Sequence, residues 1–194
     1  MIVRQLVVGQ LQTNCYIAAC EDTKEGVVID PGDDPTRIMG EIEDQGIDIK
    51  YILITHAHFD HIGATEVLKR RLKVPLGLHP LDLPLLQEKG GAGVFGLDAP
   101  QCPDPDLDLQ EGMDISFGCC NLNVLLTPGH TPGHVSFFEK SENILFDGDV
   151  LFDGGIGRTD IPGGDSAAIM HSIREVLFAL PAETIVYSGH GNPT

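Results

Sequence analysis

The sequence predicts a layered α/β sandwich in which two β-sheets pack together and helices cover their outer faces. Two observations lead to this prediction. Short β-rich runs cluster in two groups along the chain, and each group has helical segments attached. No repeat period of the solenoid type appears in the sequence. The 194 residues suit one domain that spans residues 1–194 and has a substantial core.

The first group combines strands with two helices. Residues 34–45 have helical character, because Pro35 suits a first turn and Gly46 suits a C-cap. Residues 51–55 form a short apolar run typical of a strand that is buried on both faces. The other elements of this group are strands at 3–8, 15–19, 26–30 and 76–78 and a helix at 64–72.

The second group follows a segment of different composition. Residues 87–112 are rich in Gly, Pro and Asp, and we expect them to form a long loop or lid. Residues 165–180 are predicted to be helical, since Asp165 can cap the N-terminus and apolar residues repeat on one face. The strands predicted in this group are 113–117, 122–127, 135–139, 144–146 and 184–188.

Charge and composition exclude several classes of partner and location. The net charge of −17 argues against nucleic acid and anionic membranes as partners. No apolar run approaches the roughly 20 residues that span a bilayer, and the N-terminus does not resemble a signal peptide, so we expect a cytoplasmic protein. The five cysteines form no CxxC pair and are expected to be buried or reduced thiols rather than a disulfide framework or a zinc site.

The strongest chemical signal is the HxHxDH run formed by His56, His58, Asp60 and His61, at the end of the buried strand 51–55. Imidazoles at alternate positions of an extended segment project to one side, so the first two histidines can reach one ion. After the chain turns, Asp60 and His61 can face a second ion beside it. Imidazole and carboxylate are ligands for zinc, iron or manganese.

Three further candidate ligands follow predicted strands of the second group. His130 lies in PGHTPGH, Asp149 in DGDVLF and His190 in SGHG. Loops at the C-terminal ends of strands can converge over a rigid sheet edge. We therefore expect two divalent metal ions, with zinc favoured and iron or manganese as alternatives. The expected ligands are His56, His58, Asp60, His61, His130, Asp149 and His190.

The motifs THAHFDH, PGHTPGH, DGDVLF and SGHG resemble those of the metallo-β-lactamase superfamily, particularly its glyoxalase II-like (hydroxyacylglutathione hydrolase-like) branch. The resemblance runs from about Asn14 to His190 and implies a four-layer αββα sandwich with two mixed sheets and the metal site at one edge. An aspartate at position 149, where many true β-lactamases carry a thiolate, argues against antibiotic hydrolysis. The resemblance also implies that His56, His58 and His130 bind the first metal, that Asp60, His61 and His190 bind the second, and that Asp149 bridges them.

Other residues have both a functional and a plainer interpretation. Asp30, in VVIDPG, resembles the family's aspartate beneath the metal loop, where a carboxylate would hold a ligand imidazole in its tautomer; a turn-forming aspartate before Pro31 is the alternative. Arg158, in the GRTD segment, could bind a substrate carboxylate through both oxygens or pair with Asp160. His134 is expected to be a structural hydrogen-bonding residue.

The expected function is hydrolysis of a thioester, such as an S-2-hydroxyacyl-glutathione, by a hydroxide generated on the metals. Asp60 would bind the second metal and orient this hydroxide. One alternative is a mononuclear iron persulfide dioxygenase, in which His56, His130 and Asp149 would form a two-histidine, one-carboxylate triad. The ligand motifs cannot separate these two activities, because both types of enzyme carry the same residues. A non-catalytic metal-binding protein is the third possibility.

The last residues of the sequence bear on the substrate. Full glyoxalase II enzymes continue past the last ligand histidine into a helical domain that binds glutathione, whereas only residues 191–194 follow His190 here. Either this is a compact member that uses another thiol, or the chain is truncated. The sequence therefore favours hydrolase chemistry more strongly than it favours glutathione. The expected partner is a small thioester or thiol-derived molecule, and the oligomeric state stays open.

Overall fold

The computed structural model describes residues 1–99 and 102–194. Its first sheet has six strands that lie in chain order, with antiparallel pairing from the first to the third strand and parallel pairing from the third to the sixth. Parallel neighbours need crossover connections, and each of the three connections here contains at least one helix. The strands are β1 Ile2–Val8, β2 Thr13–Ala19, β3 Glu25–Ile29, β4 Asp48–Leu53, β5 Leu76–Leu78 and β6 Leu107–Asp108.

The second sheet has five strands and is also mixed. Its order is β13-β10-β9-β8-β7, in which only the β10–β13 pair is parallel among the described residues. The strands are β7 Asp114–Phe117, β8 Cys120–Leu126, β9 Val135–Glu139, β10 Ile144–Gly148 and β13 Ile185–Ser188. A small hairpin of β11 Leu151–Phe152 and β12 Gly155–Ile156 lies between the last two strands in the sequence.

The helices lie in the connections between strands. Within the described ranges, no helix has the length and apolar composition that crossing a bilayer requires. The α-helices are α1 Pro35–Gln45, α2 Phe59–Ile62, α3 Thr65–Leu72, α4 Leu83–Gln87 and α5 Ser166–His171. Short 3₁₀ segments occur at Pro80–Asp82, Lys89–Phe95 and Leu177–Ala179, and a π-helical turn at Ser172–Val176 continues α5.

Three separate hydrophobic clusters define a four-layer sandwich. One cluster fills the space between the two sheets and includes Phe117, Phe137 and Phe146. A second packs α1 and α3 against the first sheet, and a third packs α5 and the turns after it against the second sheet. Burying a large apolar side chain contributes about 2 kcal/mol, so each interface adds substantially to stability. The predicted αββα sandwich of two mixed sheets is therefore confirmed.

Two helices begin or end at the capping residues that the sequence predicts. Gly46 ends α1 in a left-handed conformation with φ 63°, and Asp165 caps α5 by accepting hydrogen bonds from the N–H groups of the next helical residues. The predicted helix 165–180 is not uniform, however. It is α-helical to His171 and then changes to π and 3₁₀ geometry before it ends.

The prediction of a loop for residues 87–112 was wrong over part of its length. Residues Lys89–Phe95 form 3₁₀ turns with Gly90 and Gly91 at positive φ, and Leu107–Asp108 extends the first sheet. Residues 100 and 101 of this predicted loop lie outside the described residues. Glycine and proline are read as loop signals in a sequence, but two glycines here allow a kinked helical segment to pack against Phe59.

The candidate site lies where several strands end at one edge of the sandwich. The segments that follow β3, β4, β8, β10 and β13 meet there, together with the beginning of β2. Thr13, at the start of β2, forms a bridge with His190, which follows β13 of the other sheet. Both sheets therefore position this edge.

Candidate metal centre

The first ligand cluster consists of three histidines, which we call cluster 1. It contains His56, His58 and His130, whose ligand nitrogens all lie within 4.8 Å of one another. The first two follow β4, and the third lies in the loop after β8. His56 is fully buried and His130 nearly so. The imidazole rings of His58 and His130 lie 4.6 Å apart between centroids, which leaves their nitrogens facing a shared space.

The second ligand cluster, cluster 2, combines carboxylate and imidazole. It contains Asp60, His61 and His190, again with ligand atoms within 4.8 Å of one another. The Nε2 atom of His190 lies 3.3 Å from Oδ2 of Asp60, and Nε2 of His61 lies 3.6 Å from the same oxygen. Asp60 and His61 lie in α2, while His190 comes from the other sheet.

Asp149 lies between the two clusters, directly after β10. Its Oδ1 atom is 3.6 Å from Nε2 of His61, and its Oδ2 atom is 3.5 Å from Nε2 of His130 and 3.6 Å from Nε2 of His190. One carboxylate therefore reaches a histidine of each cluster. Such a position suits a bridging ligand, and the seven residues proposed as ligands from the sequence converge here.

Buried polar atoms without partners test whether the site fits metal ions. Within residues 1–99 and 102–194, Nε2 of His56, Nε2 of His61 and Oδ1 of Asp149 are buried and have no hydrogen-bond partner. A buried polar group left unpaired costs about 1–3 kcal/mol, so such atoms are rare unless they have another partner. All three atoms point into the two clusters. The donor set therefore fits divalent metal ions that accept imidazole and carboxylate ligands.

Hydrogen bonds at Nδ1 orient three of the imidazoles. His56 contacts the Thr55 hydroxyl at 3.0 Å, and His130 contacts the backbone carbonyl of Arg158 at 2.8 Å. His61 contacts Oδ2 of Asp30 at 2.9 Å. Bonding at Nδ1 fixes the ring and leaves Nε2 to face the centre, which is the usual arrangement around a metal-binding histidine.

Asp30 occupies the position that the sequence-based hypothesis gave it beneath the ligand loop. Besides His61, its carboxylate accepts hydrogen bonds from the backbone N–H and the hydroxyl of Thr55, at 2.8 and 2.7 Å. Asp30 also has a positive φ of 50°, so it forms a tight backbone turn as well. The two interpretations made from the sequence are thus compatible: the residue turns the chain and holds a ligand imidazole.

Asp82 contacts both ligand loops and was missed in the sequence. This fully buried aspartate ends the 3₁₀ segment Pro80–Asp82. Its Oδ2 accepts the N–H of Ala57 at 2.9 Å and the hydroxyl of Thr131 at 2.8 Å, and its Oδ1 accepts the N–H of Gly133 at 2.7 Å. It therefore ties the loop of His56 and His58 to the loop of His130. The available signal was an acidic residue inside the otherwise apolar run PLDLPLL.

Two other contacts support the centre. The Thr13 hydroxyl donates to Oδ2 of Asp60 at 3.0 Å, a role that the sequence-based reasoning did not identify. His134 bonds to the Thr127 hydroxyl through Nδ1, and its Nε2 accepts the backbone N–H of Asp149 at 3.0 Å. His134 therefore positions the backbone of a ligand, as expected for a structural hydrogen-bonding residue.

Glycine at position 189 is required by close packing. A Cβ atom added to Gly189 would lie 2.1 Å from Oδ1 of Asp149 and 2.8 Å from Cε1 of His61. Both distances are far below van der Waals contact. Only glycine lets the strand-end backbone pass this close to the two ligands. Steric crowding therefore explains why the first glycine of the SGHG motif is a glycine.

The electrostatic environments of the two clusters differ. Burial lowers the pKa of His58 to about 3, and it lowers the pKa of His56 and His130 as well. Burial also opposes charge on His61, but the carboxylates of Asp60, Asp149 and Asp30 outweigh it and raise its pKa well above the ordinary value. In the absence of metal, the neutral imidazole is therefore favoured in cluster 1, and the protonated form of His61 is favoured in cluster 2.

Asp60 stays ionised in this setting. Burial tends to raise the pKa of its carboxyl group, but the charge of His61 and the hydrogen bond and charge of His190 lower the pKa to about 2. An ionised carboxylate is an acceptor only, so it can bind a cation or accept a hydrogen bond from a water molecule. The side chain thus has the charge that its predicted role requires.

Arg158 contributes to the centre in a way that the sequence did not predict. Its backbone carbonyl holds His130, while its exposed guanidinium pairs with Asp160 through Nε at 2.8 Å and Nη2 at 3.0 Å. The two roles that the sequence suggested, binding a substrate carboxylate or pairing with Asp160, both involve the guanidinium. The structure places that group in the internal pair and at the wall of a pocket, so its binding to substrate stays a prediction.

A pocket of about 330 Å³ opens onto the centre. One wall contains ligand side chains of both clusters together with Asp149. The apolar part of the lining is formed by Leu11, Phe59, Phe95, Leu97 and Ile161. This volume suits a small organic molecule, with its reacting group at the polar wall and a hydrocarbon portion at the apolar wall.

A histidine- and aspartate-lined centre at one edge of a four-layer αββα sandwich defines a metal-binding protein of the metallohydrolase type. Residues 8–190 match the model of the metallo-beta-lactamase superfamily. The chain therefore belongs to the metallo-β-lactamase superfamily, and the family prediction is confirmed.

Two relatives show how the chain stands within the superfamily. It is 38% identical over 197 residues to the hydroxyacylglutathione hydrolase GloC of Haemophilus influenzae, covering 100% of this chain and 92% of GloC. It is also 31% identical over 191 residues to the mitochondrial persulfide dioxygenase ETHE1 of Mus musculus, covering 98% of this chain and 68% of that protein. Both relatives fit the predicted glyoxalase II-like branch.

Solved structures agree with the fold at high similarity. TTHA1623 in a di-iron-bound form matches with a TM-score of 0.90 and 42% identity, covering 99% of this chain and 94% of the other. The BLEG-1 B3 metallo-β-lactamase matches with a TM-score of 0.91 and 36% identity, covering 100% and 93%. The names of these similar proteins include different reactions, so overall similarity does not select a substrate.

Proposed function

We propose that this chain is a binuclear metal-dependent hydrolase that cleaves a small thioester, such as an S-2-hydroxyacyl-glutathione. The observation that supports this most is the position of Asp149, whose two oxygens face histidines of both clusters. Cluster 1 would hold one divalent ion, cluster 2 would hold the other, and Asp149 would contact both. Bound divalent ions of this kind lower the pKa of a coordinated water towards about 7 and polarise a carbonyl oxygen.

The side chains of the protein would orient the attacking water, exclude bulk solvent and bind the substrate. Asp60, ionised and held by the Thr13 hydroxyl, would accept a hydrogen bond from the attacking water and orient it towards the carbonyl carbon. The apolar wall of Leu11, Phe59, Phe95, Leu97 and Ile161 would exclude bulk water and bind the hydrocarbon part of the substrate. The Arg158 guanidinium, at the pocket wall, would bind a substrate carboxylate if its pair with Asp160 opens.

Zinc is the metal that we propose first, because it suits imidazole and carboxylate ligands. Iron is supported by the di-iron-bound form of TTHA1623, and manganese accepts the same ligand types. The net charge of −17 opposes polyanionic substrates, so a small-molecule substrate is part of the proposal.

A mononuclear iron persulfide dioxygenase is the second candidate. It is favoured by the 31% identity to ETHE1 and by the position of Asp149, which provides a carboxylate oxygen 3.5 Å from Nε2 of His130. His56, His130 and Asp149 would then bind one iron ion and leave positions open for other ligands. Cluster 2 would have no metal to bind in that case, which distinguishes the two proposals.

The test is a comparison of activities on protein loaded separately with zinc, iron or manganese. The substrates are an S-2-hydroxyacyl-glutathione, assayed by release of thiol; a β-lactam, assayed by ring opening; and glutathione persulfide, assayed by oxygen uptake. We expect thiol release with two metal ions per chain. Oxygen uptake by the iron form with one ion per chain, and no thiol release, would contradict the hydrolase proposal.

A matched pair of variants controls for loss of folding. His58→Ala removes a ligand of cluster 1, whereas His171→Ala makes the same change at an exposed histidine at the end of α5. We expect the first variant to lose metal and activity together and the second to keep both. Full turnover by a metal-free His58→Ala protein would also contradict the proposal.

A further inference from the structure

Three of the five cysteines gather at the end of the sandwich opposite the metal centre. Strand β2 begins at Thr13 beside Asp60 and ends at Ala19, and a strand of seven residues spans about 20 Å. Cys20 follows directly and lies in the turn that leads to β3. Cys119 and Cys120 lie in the turn between β7 and β8 and at the start of β8, which then runs back towards the ligand loop of His130.

The β7–β8 turn packs directly on the sulfur of Cys20. The backbone N–H of Cys119 donates to Cys20 Sγ at 3.4 Å. A Cβ atom added at Gly118, which has φ 57°, would lie 3.0 Å from the same sulfur. The N–H of Gly118 also donates to Oε2 of Glu25 at 2.7 Å, which fixes this turn against the start of β3. The two hairpin turns, one from each sheet, therefore meet at Cys20.

The local hydrogen bonds give the thiols different properties. The backbone N–H groups of Cys119 and Thr23 and the hydroxyl of Thr23 lower the pKa of Cys20 to about 6. The charge of Cys20 in turn raises the pKa of Cys119. The thiolate form of Cys20 is therefore favoured, and the thiols of Cys119 and Cys120 lie beside it. A nucleophilic sulfur with a neighbouring thiol is the arrangement found at oxidation-sensitive cysteines.

Exposure decides which oxidant can act. Cys20 is only 3% exposed, whereas Cys119 is exposed to solvent. A bulky disulfide would therefore react at Cys119 and not at Cys20. Hydrogen peroxide is close to water in size and can reach a sulfur with this little exposed surface.

We propose that Cys20 and Cys119 form a peroxide-sensitive thiol pair that closes to a disulfide between the β2–β3 turn and the β7–β8 turn. The Cys20 thiolate attacks one oxygen of hydrogen peroxide, so an S–O bond forms, the O–O bond breaks and hydroxide leaves. The Cys119 sulfur then attacks Cys20 Sγ. The S–S bond forms, the S–O bond breaks, and the hydroxyl group leaves as water with the proton of the Cys119 thiol.

The reaction is balanced by the peroxide alone. The two thiols lose two electrons in total, and hydrogen peroxide takes them up as it is converted to water. The new bond would join the two sheets at the end away from the ligands. The proposal does not depend on which substrate the metal centre accepts.

The test uses the zinc-loaded full chain, because zinc has no redox chemistry of its own. Wild-type protein and the variants Cys119→Ser, Cys120→Ser and Cys102→Ser are treated with hydrogen peroxide and digested without reduction for peptide mass spectrometry. We expect a Cys20–Cys119 cross-link in wild type, Cys120→Ser and Cys102→Ser. In Cys119→Ser we expect the oxidation of Cys20 to stop at the sulfenic acid, which is trapped when the peroxide-treated protein is unfolded in the presence of dimedone.

The wild-type map alone can overturn the proposal, so folding of the variants is not critical. A cross-link from Cys20 to Cys120, or one between two chains, would contradict the assignment of Cys119. Oxidation that begins at Cys102 or Cys15 while Cys20 stays reduced would contradict the assignment of Cys20. Retention of all free thiols at a peroxide concentration that oxidises free cysteine would overturn the pair as a whole.

Discussion

The two ligand clusters differ in how they are stabilised without metal. Cluster 1 contains buried imidazoles, and the pKa of His58 falls to about 3 because burial disfavours its charged form. In cluster 2, the carboxylates around His61 outweigh its burial and raise its pKa. Without metal, the neutral imidazole is therefore favoured in cluster 1, whereas in cluster 2 the surrounding carboxylates favour a proton on His61. A cation entering cluster 1 displaces no proton, but one entering cluster 2 must compete with a proton on His61.

Asp149→Asn should weaken metal binding at both clusters, and we expect it to reduce turnover more than any other substitution proposed here. The amide keeps the size of the side chain but removes the negative charge that lies between the clusters. Loss of this negative charge is expected to reduce turnover by about a thousandfold, equivalent to roughly 4 kcal/mol. Metal content per chain and turnover, measured on the same sample, check this. Retention of two ions and full turnover would show that Asp149 is not a shared ligand.

Asp82→Asn and Asp30→Asn should affect the clusters unequally, because Asp82 supports cluster 1 alone, whereas Asp30 contacts His61 of cluster 2 directly and His56 of cluster 1 only through the Thr55 hydroxyl. Asp82 holds the loops of cluster 1 through Ala57 and Gly133, whereas Asp30 holds His61 of cluster 2. Changing a residue that orients metal ligands reduces metal affinity by about 10–100-fold. Metal titration should show a weakened first site in the Asp82 variant and a weakened second site in the Asp30 variant. Equal effects on both sites would mean that the clusters act as one unit.

The pH dependence of stability in the metal-free protein should have opposite signs at His58 of cluster 1 and at His61 of cluster 2. Between pH 6.5, the ordinary pKa, and about 3, the unfolded chain binds a proton at His58 that the folded chain does not. The free energy of unfolding therefore falls as the pH falls through this window, by up to about 1.4 kcal/mol per pH unit. His58→Gln should make the slope shallower in denaturant unfolding experiments.

His61→Gln provides the matched variant for this measurement. Because the folded-state pKa of His61 is raised, its stabilising contribution is complete below pH 6.5 and is lost as the pH rises through the raised value. The His61 variant should therefore lose most stability in acid. If the free energy of unfolding depends on pH in the same way in both variants, the predicted difference between His58 and His61 is wrong.

Arg158→Ala should have the smallest effect. The contact with His130 comes from the backbone carbonyl, which the substitution keeps, and the exposed guanidinium already pairs with Asp160. We expect unchanged metal content and a rise in KM of about tenfold or less. Loss of metal from this variant would mean that the side chain supports the centre after all. An unchanged KM would remove Arg158 from the substrate site.

Local signals in the sequence predicted most of the fold and the seven candidate ligands that the structure brings together. The alternation of His56 and His58 after a buried strand, and the cap at Asp165, depend on neighbours in the chain, so they can be read from residue order. Asp82 and Thr13 could not be found in this way. They contact Thr131 and Asp60 across 49 and 47 residues, and only packing of the layers brings these partners together.

The region 87–112 shows the same limit for secondary structure. Its glycines were interpreted as loop signals, yet Gly90 has φ 65° in a kinked 3₁₀ segment because its backbone lies close to that of Phe59. A Cβ atom at this position would be 2.3 Å from the backbone nitrogen of Phe59. The conformation is set by contact with α2, which begins at Phe59, and that contact is not encoded within the segment itself.

Anomalous diffraction from crystals of the zinc-loaded protein would test the two-cluster centre most directly. The result expected is two zinc peaks, one among His56, His58 and His130 and one among Asp60, His61 and His190, with the Asp149 carboxylate in contact with both. A single peak, or zinc bound outside these seven side chains, would contradict the account.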